Sequence, residues 1–378
     1  MNRAAVCATI AGMRPAPVWA SLALLAGCGR IGFSHGGDVD AAASGAVVGS
    51  IAVGDAFACA VRDGAVWCWG DDHNGQLGDG AQVPSAVPVA AKGIDDASAV
   101  VAGAHHACAL RRDGAVLCWG GNGDGQLGLG DATQRLVPTL VTGLGTATAI
   151  SAGGANTCAR LTDGSLWCWG FNGDGEVGVP SGATDAPRAV LDQVRAIAVG
   201  ESHSCALRDD RSVWCWGTND DGQLGDGTSV PRATPAAVRD LVADAISAGH
   251  DFTCALDGGR FRCWGDNQVG QLGDGAHTSL SMPGLPSTLD RITQITAGTG
   301  VACALRDGDV LCWGNELADE PGTGVRVDAT TPQHALDGGT AIAVGVGIDT
   351  ACALRADHTA ACWGRGASGQ LGDGTRAD

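Results

Sequence analysis

Residues 59–70 read CAVRDGAVWCWG, and nearly the same words return as CALRRDGAVLCWG at 108–120 and CARLTDGSLWCWG at 158–170. Asp63-Gly64 is a dipeptide of the kind that closes two-residue β-hairpins. Folding the chain about it sets Arg62 against Ala65, Val61 against Val66, Ala60 against Trp67 and Cys59 against Cys68. Hydrogen-bonded and non-hydrogen-bonded pairs alternate away from such a turn, which makes Cys59 and Cys68 a non-hydrogen-bonded pair with Cα atoms about 4.5 Å apart. That separation lies inside the span of a disulfide. Copies whose cysteines are ten positions apart need a three-residue loop, such as Arg112-Asp113-Gly114, which keeps the parity.

Outward from this hairpin, the unit occurs seven times. The second cysteines are Cys68, Cys118, Cys168, Cys215, Cys263, Cys312 and Cys362, a period of 47 to 50 residues; the first are Cys59, Cys108, Cys158, Cys205, Cys254, Cys303 and Cys352. A glycine stands five residues before each first cysteine, from Gly54 to Gly347, and Trp-Gly follows each second one. Five copies continue into Gly-Gln-Leu-Gly, and the sixth runs NELADEPGTG instead. Short strands with turn signals at this period predict an all-β, seven-bladed β-propeller with one disulfide hairpin per repeat. Free thiols packed as small apolar residues are the alternative. As cross-strand staples, each disulfide closes a short loop worth roughly 2.7 kcal/mol in the chain-entropy account.

The bulk numbers narrow the class. The chain has 378 residues, 45% of them hydrophobic, enough for a large core, and 61 glycines without the period of collagen. Its formal charge of −18 opposes binding to nucleic acid. Sixteen cysteines suit an exported chain. Near the start, PAPVWASLALLAG is a short apolar stretch that ends in Leu25-Ala26-Gly27-Cys28. It resembles a bacterial lipoprotein signal peptide, with Cys28 as the lipidated residue, although an ordinary cleaved signal also fits. A start at Met13 gives the more usual length. Removal of 1–27 loses Arg3 and Arg14 and no acid, which takes the charge from −18 to −20. The expected organisation is signal peptide 1–27, lipidated Cys28 with a linker over 28–42, and propeller 43–378.

The run G-x-x-H-x-C-A-L…D-G-x-V-W-C-W-G…N-x-x-G-Q-L-G-D-G is similar to the regulator of chromosome condensation repeat family, in its bacterial versions, from about Val48 to Asp378. The resemblance implies a seven-bladed propeller. It also implies two functional classes: guanine-nucleotide exchange, as in the founding member, or protein binding, as in a secreted bacterial β-lactamase inhibitor that binds by its propeller face. The seventh copy ends without an outer strand. Counting back 15 residues from Gly54, the interval between Pro88 and Gly103, reaches Val39, so 39–48 is the expected closing strand. A truncated propeller is the alternative.

No motif demands catalysis. Trp69, Trp119, Trp169, Trp216, Trp264, Trp313 and Trp363 recur in phase, as core anchors do. His106 and His203 share a repeat position with Phe57 and Phe252, so they read as structural, and His105 should face away from His106. The stretches 122–125 and 219–222 resemble calcium loops faintly, but lack the closing acidic ligand and read as turns. The glycine-rich stretches lack a phosphate-loop lysine. The sequence therefore points to a non-enzymatic binding protein with no cofactor and no metal. Its expected partner is a protein, it meets the membrane only through the lipid on Cys28, and it acts as a monomer on the outer membrane or cell surface. Nucleotide exchange and a polysaccharide-acting site are the runners-up.

Overall fold

The computed structural model describes residues 29–31, 48–180, 184–315, 329–336, 341–357 and 359–376. Strands Val48–Val53, Phe57–Arg62, Ala65–Gly70 and Ser85–Ala90 form blade one, an antiparallel sheet in that order. The pattern repeats to give seven sheets. Blade seven consists of Ala341–Val346, Thr350–Arg355 and Ala360–Gly364, with Gly29–Ile31 on its outside.

The hairpin register follows the turn. Asp63 and Gly64 both have positive φ (52° and 86°), the backbone that matches the twist of the flanking strands. Arg62 faces Ala65 and Cys59 faces Cys68, as counted. All seven cysteine pairs are disulfides within their own hairpins, with Cα atoms 4.1 Å apart. In the three-residue loop, Arg111 N–H donates to Ala115 at 2.9 Å, and Cys108 still meets Cys118.

The apolar core lies between blades. Seven clusters of buried residues each span one junction, and one of them joins Ala58, Ala60 and Trp69 of blade one to Cys352, Leu354 and Leu371 of blade seven. The junctions are also tied by hydrogen bonds. The indole N–H of Trp119 donates to the carbonyl of Gln76 in the preceding blade at 2.8 Å. Trp169, Trp216, Trp264 and Trp313 repeat the bond at 2.9 Å, and Trp69 makes it to Gln370, which closes the ring. At the hub, a Cβ on Gly54 would lie 2.3 Å from Phe57 and 2.6 Å from the carbonyl of Gly103, so this repeat position has no room for a side chain. Gly347 meets the carbonyl of Gly54 in the same way.

One feature departs from the sequence expectations, and blade five departs from the four-stranded pattern of the others. The closing strand is Gly29–Ile31, which pairs Gly29 with Cys362 and Ile31 with Ala360. The expected segment 39–48 does not fill that place: Val48 opens the innermost strand of blade one, and 39–47 lie outside the described residues. The linker expected over 28–42 therefore carries a strand at its start. Blade five has three strands: Pro283 matches Pro88 and Pro138, which lie inside outer strands, but Pro286 stands where Ala91 and Val141 donate to Val66 and Val116, and it cannot donate. An irregular segment covers its edge instead, through Gly284 and Ser287 N–H groups on the carbonyls of Cys263 and Phe261. The irregular sequence of the sixth copy, 316–328, lies outside the described residues, yet Ala329–Leu336 supplies blade six with its outer strand.

Candidate functional site

The register gives the disc two unlike faces. Hairpin turns such as Asp63-Gly64 end the strands on one side. On the other side, where Phe57 faces Gly70, lie the short turns after the hub glycines and the Gly-Gln-Leu-Gly loops. The loops are held from within. Asn122 is buried and accepts the Leu127 N–H at 2.9 Å, while its amide donates to the Thr133 carbonyl at 3.0 Å. Asn219 and Asn267 do the same in their repeats. The calcium-like stretches are thus turn chemistry, as expected. Asp72 takes this position in blade one, accepting the N–H groups of Leu77 and Val83 at 2.9 and 3.0 Å. Burial pushes its carboxyl up to about 6 in spite of those two bonds.

A central channel of about 260 Å³ is walled by the innermost strands, with Ile51, Ser151, Ile197, Ser247 and Thr296 among its lining residues. Its mouth on the loop face is a recess of about 90 Å³, ringed by the residues that follow the hub glycines: Asp55, Ala104, Gly154, Glu201, His250, Thr299 and Ile348. The backbone of this ring is locked blade to blade. Ala104 N–H donates to the carbonyl of Gly154, Glu201 to Gly249, and His250 to Gly298, at 2.9 to 3.2 Å. Burial raises the carboxyls of Asp55 and Glu201. His250 contacts the Asp251 carboxylate through Nδ1, and this hydrogen bond raises the imidazole. Burial works against ionisation of Asp251, but the bond and charge of His250 outweigh it and hold the carboxyl low. Ser202 and Gln223 also donate to Asp251, at 3.3 and 3.2 Å, so blade four steadies a group on blade five.

The residues singled out from sequence fall as follows. All fourteen propeller cysteines are in disulfides, and Cys28 lies outside the described residues. His106 and His203 are buried, and burial lowers their imidazoles to about 3 and about 4. Each meets a threonine of the next blade through Nε2 at 2.8 Å, Thr157 and Thr253, which is a structural arrangement. His105 is exposed and sits in the bend before the strand that His106 opens. Among the described residues, no group of three or more His, Cys, Asp or Glu is placed to hold a metal ion. Sequence reasoning passed over Asp55, Glu201, His250 and Asp251. Aligning the residue after each hub glycine would have found the first three, since that column reads Asp, Ala, Gly, Glu, His, Thr, Ile, and the next column holds Asp251.

Comparison with curated proteins finds no match. Among solved structures, human WBSCR16 superposes with a TM-score of 0.70 at 20% identity, over 84% of this chain and 86% of that one. Yeast RCC1 (Prp20), solved with Kap60 bound, gives 0.70 at 20% identity over 92% and 90%. Prp20p from Saccharomyces cerevisiae gives 0.68 at 21% over 88% and 86%. At such identities the likeness speaks for the fold. The Regulator of chromosome condensation (RCC1) repeat matches residues 63–110, 113–160, 163–207, 210–256 and 259–305, more than half of the chain. A second profile of that repeat matches 49–76, 97–126, 147–176, 194–223 and 243–271. The chain therefore belongs to the Regulator of chromosome condensation (RCC1) repeat family, and is a seven-bladed member of it.

Proposed function

We propose that the protein is a non-enzymatic binding propeller, displayed from the bacterial envelope as a lipoprotein through Cys28, whose loop face receives a protein partner. The observation that carries this reading is the contrast between a constant scaffold and the variable, charged ring of Asp55, Glu201 and His250 at the channel mouth, with Asp251 beside it. A face this acidic suits a partner with a basic surface, because complementary charge steers encounter and excludes wrong partners. Two solved structures of similar fold lend support: one holds Kap60 on yeast RCC1 (Prp20), and the other is described by its binding to Gsp1p and histones. Seven disulfides indicate an oxidising compartment, outside the cytosol where a nucleotide-exchange partner would reside. The chain acts as a monomer and takes no nucleic acid, in keeping with its charge of −18.

Capture from envelope extract tests the reading. The mature propeller should retain a partner that the Asp55→Asn, Glu201→Gln, Asp251→Asn triple variant loses, with a steep fall as salt rises. Equal capture by both proteins overturns the assignment of the loop face. Cys28→Ala should move the protein from the membrane to the soluble fraction, and unchanged retention overturns the lipid anchor.

A further inference from the structure

The outer rim of the disc differs from both faces. Acids crowd the loop face, with Asp55, Asp71, Asp79, Glu201 and Asp251, whereas the turn face pairs its acids with arginines, Asp96 and Asp113 with Arg111 and Asp244 and Asp257 with Arg211. The rim stretch of blade one, 80–94, reads GAQVPSAVPVAAKGI, with no carboxylate and one lysine. The outer strand of blade six, ATTPQHAL, and that of blade seven, GRI, have none either. Exposed apolar side chains recur around the rim, Val83 and Val87 on blade one, Val137 and Leu140 on blade two, and Val230, Met282 and Leu285 on blades four and five, so it is the chain path that singles out one part of it.

The chain path leads to this rim. Gly29 pairs with Cys362 as the outermost strand of blade seven, so whatever is attached just before Gly29 starts from the edge of the disc, with no spacer between. The edge is continuous with blade one. Gly374 N–H donates to the Ala86 carbonyl at 2.9 Å, and Arg376 donates to the Pro84 carbonyl at 2.9 Å.

We propose that the rim of blades seven and one rests against the lipid bilayer, so that the propeller stands edge-on and both mouths of its channel stay open. This rests on the lipid at Cys28 proposed above. The acidic loop face, turned to an anionic headgroup layer, would be repelled. The turn face lies on the far side of Ile31 from Gly29, since Ile31 pairs with Ala360 by the hairpin turn. The rim meets neither objection. Two half-exposed valines offer too little apolar area to hold the protein alone, so the acyl chains hold it and the rim only orients it. An edge-on disc also leaves the acidic loop face free for its partner.

Hydrogen exchange on the acylated full chain in phosphatidylethanolamine–phosphatidylglycerol vesicles tests this, with the Cys28→Ala protein in solution as reference. Peptides covering Ser85–Ala90 should exchange severalfold more slowly on vesicles, while those holding Asp55, Glu201 and His250, or the turns at Asp63 and Asp113, should not change. In acylated protein carrying Val83→Glu and Val87→Glu, the rim protection should vanish. Protection of either face, of no peptide, or of the rim equally without vesicles, as a second copy would give, overturns the edge-on arrangement. Absence of acyl mass on Cys28 overturns the display reading itself, which intact mass separates from the other outcomes.

Discussion

The junction between blades one and two and the junction between blades two and three use the same repeat position in opposite ways. Phe57 fills it at the first, packed with Ala107 and Trp119 in a wholly apolar cluster. His106 fills it at the second, and there the next blade offers Thr157 where the first junction had Ala107. Junction four–five repeats the polar solution with His203 and Thr253, and junction five–six the apolar one with Phe252 and Ala302. At these four junctions the histidines come with a threonine one blade on and the phenylalanines with alanine. At the ring closure Thr350 meets Ala58 and donates its hydroxyl to the Arg365 carbonyl of its own blade, at 3.1 Å. A buried imidazole costs little only while its hydrogen bond is made. The repeat is a frame that accepts either chemistry, provided that a buried polar group finds its hydrogen bond, whether across the junction or within its own blade.

The largest expected effect lies in what the two junctions share. Trp119 and Trp169 are both fully buried and both donate to a glutamine carbonyl of the preceding blade, at 2.8 and 2.9 Å. Trp119→Ala and Trp169→Ala should each cost about 3–5 kcal/mol, read as matched drops in melting temperature. A clear inequality would mean that the filler at the Phe57/His106 position, and not the tryptophan, carries the junction.

Smaller effects come from breaking the agreement across a junction. Thr157→Ala strands the buried Nε2 of His106 and should cost about 1–3 kcal/mol. Combining it with His106→Phe recreates the apolar junction and should recover most of that loss. The reverse holds at the first junction, where Phe57→His alone should destabilise and Ala107→Thr should partly rescue it. Additive losses in both double variants would show that the pairing of fillers has no energetic meaning.

Much of this was legible in the sequence, and the reason is register. A two-residue turn fixes every pair behind it, so Cys59 facing Cys68 follows from Asp63-Gly64 without knowledge of the fold. The structural nature of His106 followed from Phe57 at the same position. The closing strand was misplaced because the count from Gly54 assumed the spacing of the internal repeats. The strand that closes blade seven is only Gly-Arg-Ile, three residues with neither alternation nor motif, and its pairing depends on the open edge of Ala360–Gly364 far along the chain. The channel mouth was missed for a related reason. Asp55, Glu201 and His250 fall in a column whose chemistry changes at every repeat, and only the closed ring brings them together.

The smallest effect separates the junctions by pH. Burial, with a lesser contribution from His105, lowers His106 to about 3 from an ordinary value of 6.5. The folded state therefore resists a proton that the unfolded chain accepts. The stabilisation from the neutral imidazole is complete above pH 6.5 and is lost as pH falls from there towards 3. His203, lowered to about 4 by burial against the pull of Asp251, behaves likewise. Phe57 and Phe252 cannot titrate. His106→Phe with Thr157→Ala should thus match the parent near pH 7.5 and lose less stability on acidification, by about 1 kcal/mol at pH 6. Adding His203→Phe with Thr253→Ala should about double the difference. Melting curves of the three proteins between pH 7.5 and pH 5 provide the measurement. Parallel curves would mean that the imidazoles already share a proton or water in the folded state, and that the polar junctions are less closed than their burial implies.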